Sequence, residues 1–418
     1  MGTRAPARRF SSYRVLRHRD FTLVSGGNFI SQLGTWSQYV GIGWAARQST
    51  DSTFLVSIAF ASQFAPSLLL SSVAGVAADR FDRRALVIVG NLVMMIPPIV
   101  VGLLLRNGPI SIGALVALIL VGGSAQAFTQ PAAMALIPSL VPPDELSAAI
   151  PINTGVVSLT RVMGPGLGAA AIKAWGISWG FYLNAVSFLA VVIACLAMRA
   201  RPPRNAVTTE PFVLRLRKGM QYARANPTVG RLLALTLVAT FFTVQAALMP
   251  SYVKDVLHAG VSTYAVISST PGFGAVAGAI IAGEIRTDRA RRMVIITSAV
   301  FISGALLTLA LTNASWLAIT VMAGFGFGYF LQSTLISTML MQASVDEYRG
   351  RIMGLYGTAS IGMIPINSLL AGFIAEHVGI QRTIGVCGAA IVVFTVWFVA
   401  SGNLKYVNTT EPVAVGAA

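Results

Sequence analysis

Between two apolar runs the chain reads Gly75-Val76-Ala77-Ala78-Asp79-Arg80-Phe81-Asp82-Arg83-Arg84. Charges crowd into its last six positions, so this segment stays in water. The flanking runs, 53–78 and 85–105, carry almost no charge. Each matches the roughly 20 apolar residues that a helix needs to cross a bilayer's hydrocarbon. The decapeptide therefore reads as a tight polar turn between two membrane-spanning helices.

The same ruler, carried outward, finds twelve runs in all: 21–45, 53–78, 85–105, 110–138, 148–172, 177–198, 231–253, 263–285, 293–312, 315–342, 352–375 and 379–401. Composition agrees. Hydrophobic residues make up 55% of the 418 positions and charged ones 11%, and the mean hydropathy is +0.73. A soluble chain carries about 25% charged residues, so most of this surface faces lipid. All runs are read as helices, because unpaired backbone is not tolerated in lipid and no strand-length alternation points to a barrel.

The net charge of +16 does not indicate nucleic acid, since the basic residues sit in short clusters between spans rather than on one solvated face. With the N-terminus in the cytoplasm, 24 of the 30 lysines and arginines fall inside, five outside, and Arg161 within a span. That asymmetry predicts cytoplasmic termini in a cytoplasmic (inner) membrane. Cys195 and Cys387 lie inside apolar runs and His18, His258 and His377 at span ends. No metal site, cofactor or enzymatic constellation is expected from them.

Residues 1–198 are predicted to form one six-helix bundle and 231–401 a second, with 402–418 a cytoplasmic tail. Between them 199–230 opens on Pro202 and Pro203, and its 212–225 stretch alternates apolar and basic residues at helical spacing. It predicts an amphipathic helix on the inner membrane face. A repeat supports two halves. At an offset of 202, Gly122, Phe128, Gln130, Asp144 and Glu145 match Gly324, Phe330, Gln332, Asp346 and Glu347. The Gly75…Arg83-Arg84 turn likewise has a counterpart in Gly283…Arg291-Arg292.

The 75–84 turn resembles the signature loop of the major facilitator superfamily, with Gly75, Asp79, Arg80, Arg83 and Arg84 in register and Asp82 where that family usually has glycine. The resemblance implies an all-α integral membrane protein of twelve transmembrane helices in two pseudo-symmetric six-helix bundles. It also implies that the turn latches the cytoplasmic side against the start of span 11, near Arg351. His18-Arg19-Asp20-Phe21, Ser31-Gln32-Leu33-Gly34, Gln130-Pro131-Ala132 and Asp346-Glu347-Tyr348-Arg349-Gly350-Arg351 are similar to segments of the enterobactin-exporter and macrolide-efflux branch. That branch implies export of drugs or siderophores, with protons as coupling ion. Span 5 carries Gly155 and Gly164-Pro165-Gly166-Leu167-Gly168-Ala169, similar to the antiporter motif but with Thr160 and Ala169 in place of glycines. Helix packing explains the same small residues.

Arg161 lies about fourteen positions into span 5, roughly 20 Å deep at 1.5 Å per residue. A charge there costs at least about 2.5 kcal/mol unless satisfied. It anchors an anionic substrate group or a shifting carboxylate, or it staples helices through backbone carbonyls. Thr35 stands where several branch members carry an aspartate, and no acid lies at mid-depth in any span. Proton coupling is then left to peripheral acids such as Asp79 and Glu284, or to the substrate's own ionisation. Further candidates to bind substrate are Gln32, Trp36, Gln63, Gln126, Gln245 and Asn367, each of which is equally able to bridge helices. The reading is an exporter of amphipathic small molecules; the rival is a transporter of one endogenous anionic or lipid-like metabolite.

Overall fold

The computed structural model describes residues 12–407 except 143, 144, 201–211, 244 and 286, and leaves the side chains of Asp79, Gln245 and Asp346 outside the description. The described residues form helices and turns and no strand. The first half holds α1 (Arg19–Ser49), α2 (Thr53–Arg80), α3 (Arg83–Leu104), α4 (Ile112–Leu136), α5 (Leu146–Trp175) and α6 (Ile177–Ala197). After α7 (Phe212–Ala225), the seventh span is built from α8 (Pro227–Phe242), α9 (Gln245–Ser251) and a π-helical turn, Tyr252–Val256. Then come α10 (Val261–Glu284), α11 (Asp288–Leu311) and α12 (Ser315–Ala343). The eleventh span joins α13 (Asp346–Gly357), a π-helical turn at Thr358–Gly362, and α14 (Ile364–Val378); α15 (Ile380–Ala400) is last.

Local chemistry sets the boundaries. The Asp82 carboxylate accepts from the amide of Ala85 at 2.7 Å and caps α3, which gives a local reason for an acid in a turn whose family prefers glycine there. Ser52 and Ser111 cap α2 and α4 in the same way. Gly176 and Gly379, with φ of 93° and 101°, make the sharp turns into α6 and α15. Both sit in the left-handed region that only glycine enters freely, and they occupy equivalent places in the two halves.

Ten segments among the described residues are long and apolar enough to cross a membrane. α1 and α5 equal them in length, at 31 and 30 residues, and α1 owes its weaker hydropathy to polar residues turned inward. Packing repeats between halves: α2 against α4 as α10 against α12, α3 against α4 as α11 against α12, α3 against α6 as α11 against α15. Missing β-carbons allow these approaches. A methyl on Gly123 would sit 2.9 Å from the Gln63 carbonyl of α2, and one on Gly326 would strike the Pro271 carbonyl of α10. The halves meet along two seams, α2 with α14 and α5 with α10.

Candidate substrate pathway

At the bundle end away from the termini the halves are clamped. Arg47, at the end of α1 and 5% exposed, donates from Nε and Nη2 to both oxygens of Asp255, at 3.1 and 2.6 Å. Its Nη1 donates to Asp51 at 2.8 Å, and Lys254 donates to its carbonyl at 3.1 Å. Burial opposes the charge on Arg47, but Asp255 and Asp51 outweigh it and raise its pKa. The hydrogen bond from Arg47 holds the Asp51 carboxyl below its ordinary value. Nearby, Glu376 of α14 accepts from the Phe54 amide that opens α2, at 3.2 Å. Behind this layer Trp44 stacks on Tyr264, centroids 5.9 Å apart, within an apolar cluster shared by both halves.

At the terminal end two arginines of the 75–84 turn bind within their own half. Arg83 donates to the Ala135 carbonyl and Arg84 to that of Leu196, while Arg80 is exposed. Nothing lies within 4 Å of where a β-carbon on Gly75 would be. The start of span 11, α13, packs on α7, α8 and α12, and α2 meets that span further along, at the π-helical turn and α14. The expected latch between the 75–84 turn and the start of span 11 rests on Asp79, whose side chain lies outside the described residues.

Midway, Arg161 faces the ring of Trp36, its guanidinium carbon 5.4 Å from the centroid. Its Nε is buried without a hydrogen-bond partner. Among the described residues no carbonyl holds it, which removes the support for a helix staple. Tyr39 of α1 meets the Trp36 ring edge-on, centroids 5.0 Å apart, while Tyr329 of α12 and Tyr356 of α13 line a small hollow in the second half. Tyr356 shares a 2.7 Å hydrogen bond with Ser333. The Gly164-Pro165 segment positions this centre. A methyl on Gly164 would fall 3.1 Å from the Leu33 carbonyl and closer still to Trp36 Cβ. Ser37 donates to the Gly164 carbonyl at 2.8 Å, and Pro165 is buried. One turn before that seam, Arg161 is held opposite Trp36.

Gln32, Gln63, Gln126 and Thr35 line a separate hollow inside the first half, with Gln63 donating to Gln126 at 3.2 Å. Asn367 does not face the pathway: 4% exposed, it donates to the Thr240 carbonyl at 2.7 Å and ties span 11 to span 7. The Gln245 side chain lies outside the described residues. Sequence reasoning missed the three tyrosines. Only Tyr39 carried a signal, one turn after Trp36 in a helix.

Two repeated bundles in lipid, joined at one end around a buried cation, define a membrane transporter that moves small molecules. The chain belongs to the family described as transmembrane secretion effectors, whose model matches residues 10–412, within the major facilitator superfamily. It is 23% identical over 356 residues to the multidrug efflux pump Tap of Mycolicibacterium fortuitum, covering 82% of this chain and 86% of that one. It is 23% identical to the enterobactin exporter EntS of Citrobacter koseri, over 96% of each chain. Among solved structures, a POT family transporter in complex with 5-aminolevulinic acid superposes with a TM-score of 0.74 at 12% identity, covering 93% of this chain and 97% of that one.

Proposed function

We propose that the protein exports amphipathic small molecules, drugs or siderophore-like compounds, across the cytoplasmic membrane by alternating access, driven by the proton gradient. In this reading twelve spans divide into bundles at 1–198 and 231–401, and both termini lie in the cytoplasm. The clamp at Arg47 and Asp255 is then the outer gate, and the molecule faces inward. The latch of the 75–84 turn, through Asp79, against the start of span 11 is the inner gate. One observation carries the substrate reading: Arg161, whose Nε is buried without a protein acceptor among the described residues, is free to pair with an anionic group beside the Trp36 ring. The names of relatives, a multidrug pump and a siderophore exporter, support the direction of transport. The same unpaired cation favours the second reading, release of one endogenous anionic metabolite.

The test is transport in reconstituted vesicles under an imposed pH gradient, with a catecholate, a carboxylate and a cationic dye as substrates. Export driven by inward proton flow, strongest for the anions, is expected. Transport insensitive to the gradient would overturn proton coupling, and preference for the cation would overturn the role of Arg161.

A further inference from the structure

The hollow in the first half is a site of its own. It lies among α1, α2, α3, α4 and α6, and Arg161 is not part of its wall. The carboxamides of Asn28, Gln32, Gln63, Asn91, Gln126 and Asn184 border it, and no Asp, Glu, Lys, Arg or His does. The space open to the centre of a water molecule is about 100 Å³, and the atom-free volume with its mouth is about 860 Å³. Along α1 the wall runs from Asn28 to Tyr39, roughly 16 Å at 1.5 Å per residue.

Part of this set is already engaged: Gln63 donates to Gln126, Asn91 to the Val87 carbonyl, and Asn184 accepts from Thr35 and donates to Gln38. Asn28 and Gln32 make no hydrogen bond among the described residues. Nor does the fold require them. In the second half, α11, α12 and α15 take the places of α3, α4 and α6, and there Ile302, Leu306, Met322, Phe325, Ile384 and Ile391 close into an apolar core. Asn28 and Gln32, both half-buried, therefore keep hydrogen-bonding capacity open to whatever enters the hollow. Each offers two donors and an acceptor, the pattern that neighbouring hydroxyls complement. The absence of charge gives an ion no hold, while Tyr39, Phe181 and Phe188 in the wall present rings to the apolar side of a sugar.

We propose that this hollow binds a neutral, hydroxyl-rich group, a glycosyl or similar polyol arm, independently of Arg161. The proposal goes beyond the export reading, because occupancy requires no turnover.

The test measures equilibrium binding to the full-length protein in lipid nanodiscs. The probes are 4-methylumbelliferyl β-glucoside and 7-methoxy-4-methylcoumarin, which share a neutral ring system and differ in the sugar. The wild type is expected to prefer the glucoside about tenfold. Gly122→Leu fills the hollow, since a β-carbon there meets its nearest atom, Pro97 Cγ, at 3.8 Å; Gln32→Leu removes an amide. Either variant should bring the ratio to near one, with an unchanged melting temperature confirming the fold, and Gln32→Leu decides alone if Gly122→Leu fails to fold. Arg161→Gln should leave the ratio intact, so failure of the anion reading does not touch this one. No preference in the wild type, or a preference kept by Gln32→Leu, would overturn the proposal and leave a hollow that holds water only.

Discussion

Replacing Arg161 by glutamine should remove anion binding without weakening the fold. The guanidinium makes no hydrogen bond among the described residues, and its visible compensation is the Trp36 ring at 5.4 Å. That contact is worth about 0.5–2 kcal/mol, whereas a charge at mid-depth costs at least about 2.5 kcal/mol. Without substrate the two nearly cancel or the loss of charge wins, so the melting temperature should hold or rise. With an anionic substrate the balance reverses, because a truncated buried charge pair costs about 2–5 kcal/mol, thirtyfold or more in affinity. Binding of one anionic and one cationic compound to the purified protein, alongside thermal unfolding, reads both effects. Equal loss for both compounds with a fallen melting temperature would refute the reasoning and return Arg161 to a structural role.

Asp255→Asn halves the clamp on Arg47; since Asp255 is 31% exposed, the cost is about 1–2 kcal/mol, about tenfold in the closed population. A cysteine at Ala265, 1% exposed behind the clamp, should then react about tenfold faster with maleimide, and an unchanged rate would exclude a gate here. Because Arg47 lowers the Asp51 pKa, that carboxylate's contribution is complete above its ordinary value of about 3.9 and is lost as pH falls through the lowered one. Labelling of the Ala265→Cys protein should therefore be flat from neutral pH down to about pH 5 and rise only below about pH 4. Asp82→Ala should lower stability by about 1 kcal/mol and Asp82→Gly by a few tenths, and equal melting temperatures for the two would dismiss the α3 cap. Gly164→Val should cost about 1–3 kcal/mol by forcing α5 off α1, whereas a melting temperature unmoved by the change would show that the seam tolerates a side chain.

Spans were legible wherever lipid-facing residues dominate a helix, because hydropathy then reports the environment directly. α1 is the instructive exception: its inward polar residues dilute the apolar run, and its length rather than its hydropathy marks it. The π-helical turns in spans 7 and 11 left no trace: Lys254 and Asp255 at the first mark only the end of an apolar run, and Thr358–Gly362 carries no charge at all. Arg161 stood out because one cation in an apolar run has no ordinary explanation. The tyrosines did not, because a phenol in a span reads as packing. The hollow was half visible. Gln32 and Gln126 were candidates singly, but neighbours drawn from five helices converge only in three dimensions. Asn367 carried the same signal as those glutamines and is used up on Thr240.

In the helix α7, Tyr222 stacks on Tyr348 with centroids 4.7 Å apart, its hydroxyl reaches the Ala343 carbonyl, and Gly219 admits Leu355. The helix belongs physically to the second bundle. Two separately expressed polypeptides should therefore reassemble when the break falls ahead of Phe212. A break just after Ala225 would strip the second fragment of a surface it is built to cover, although it leaves every span whole.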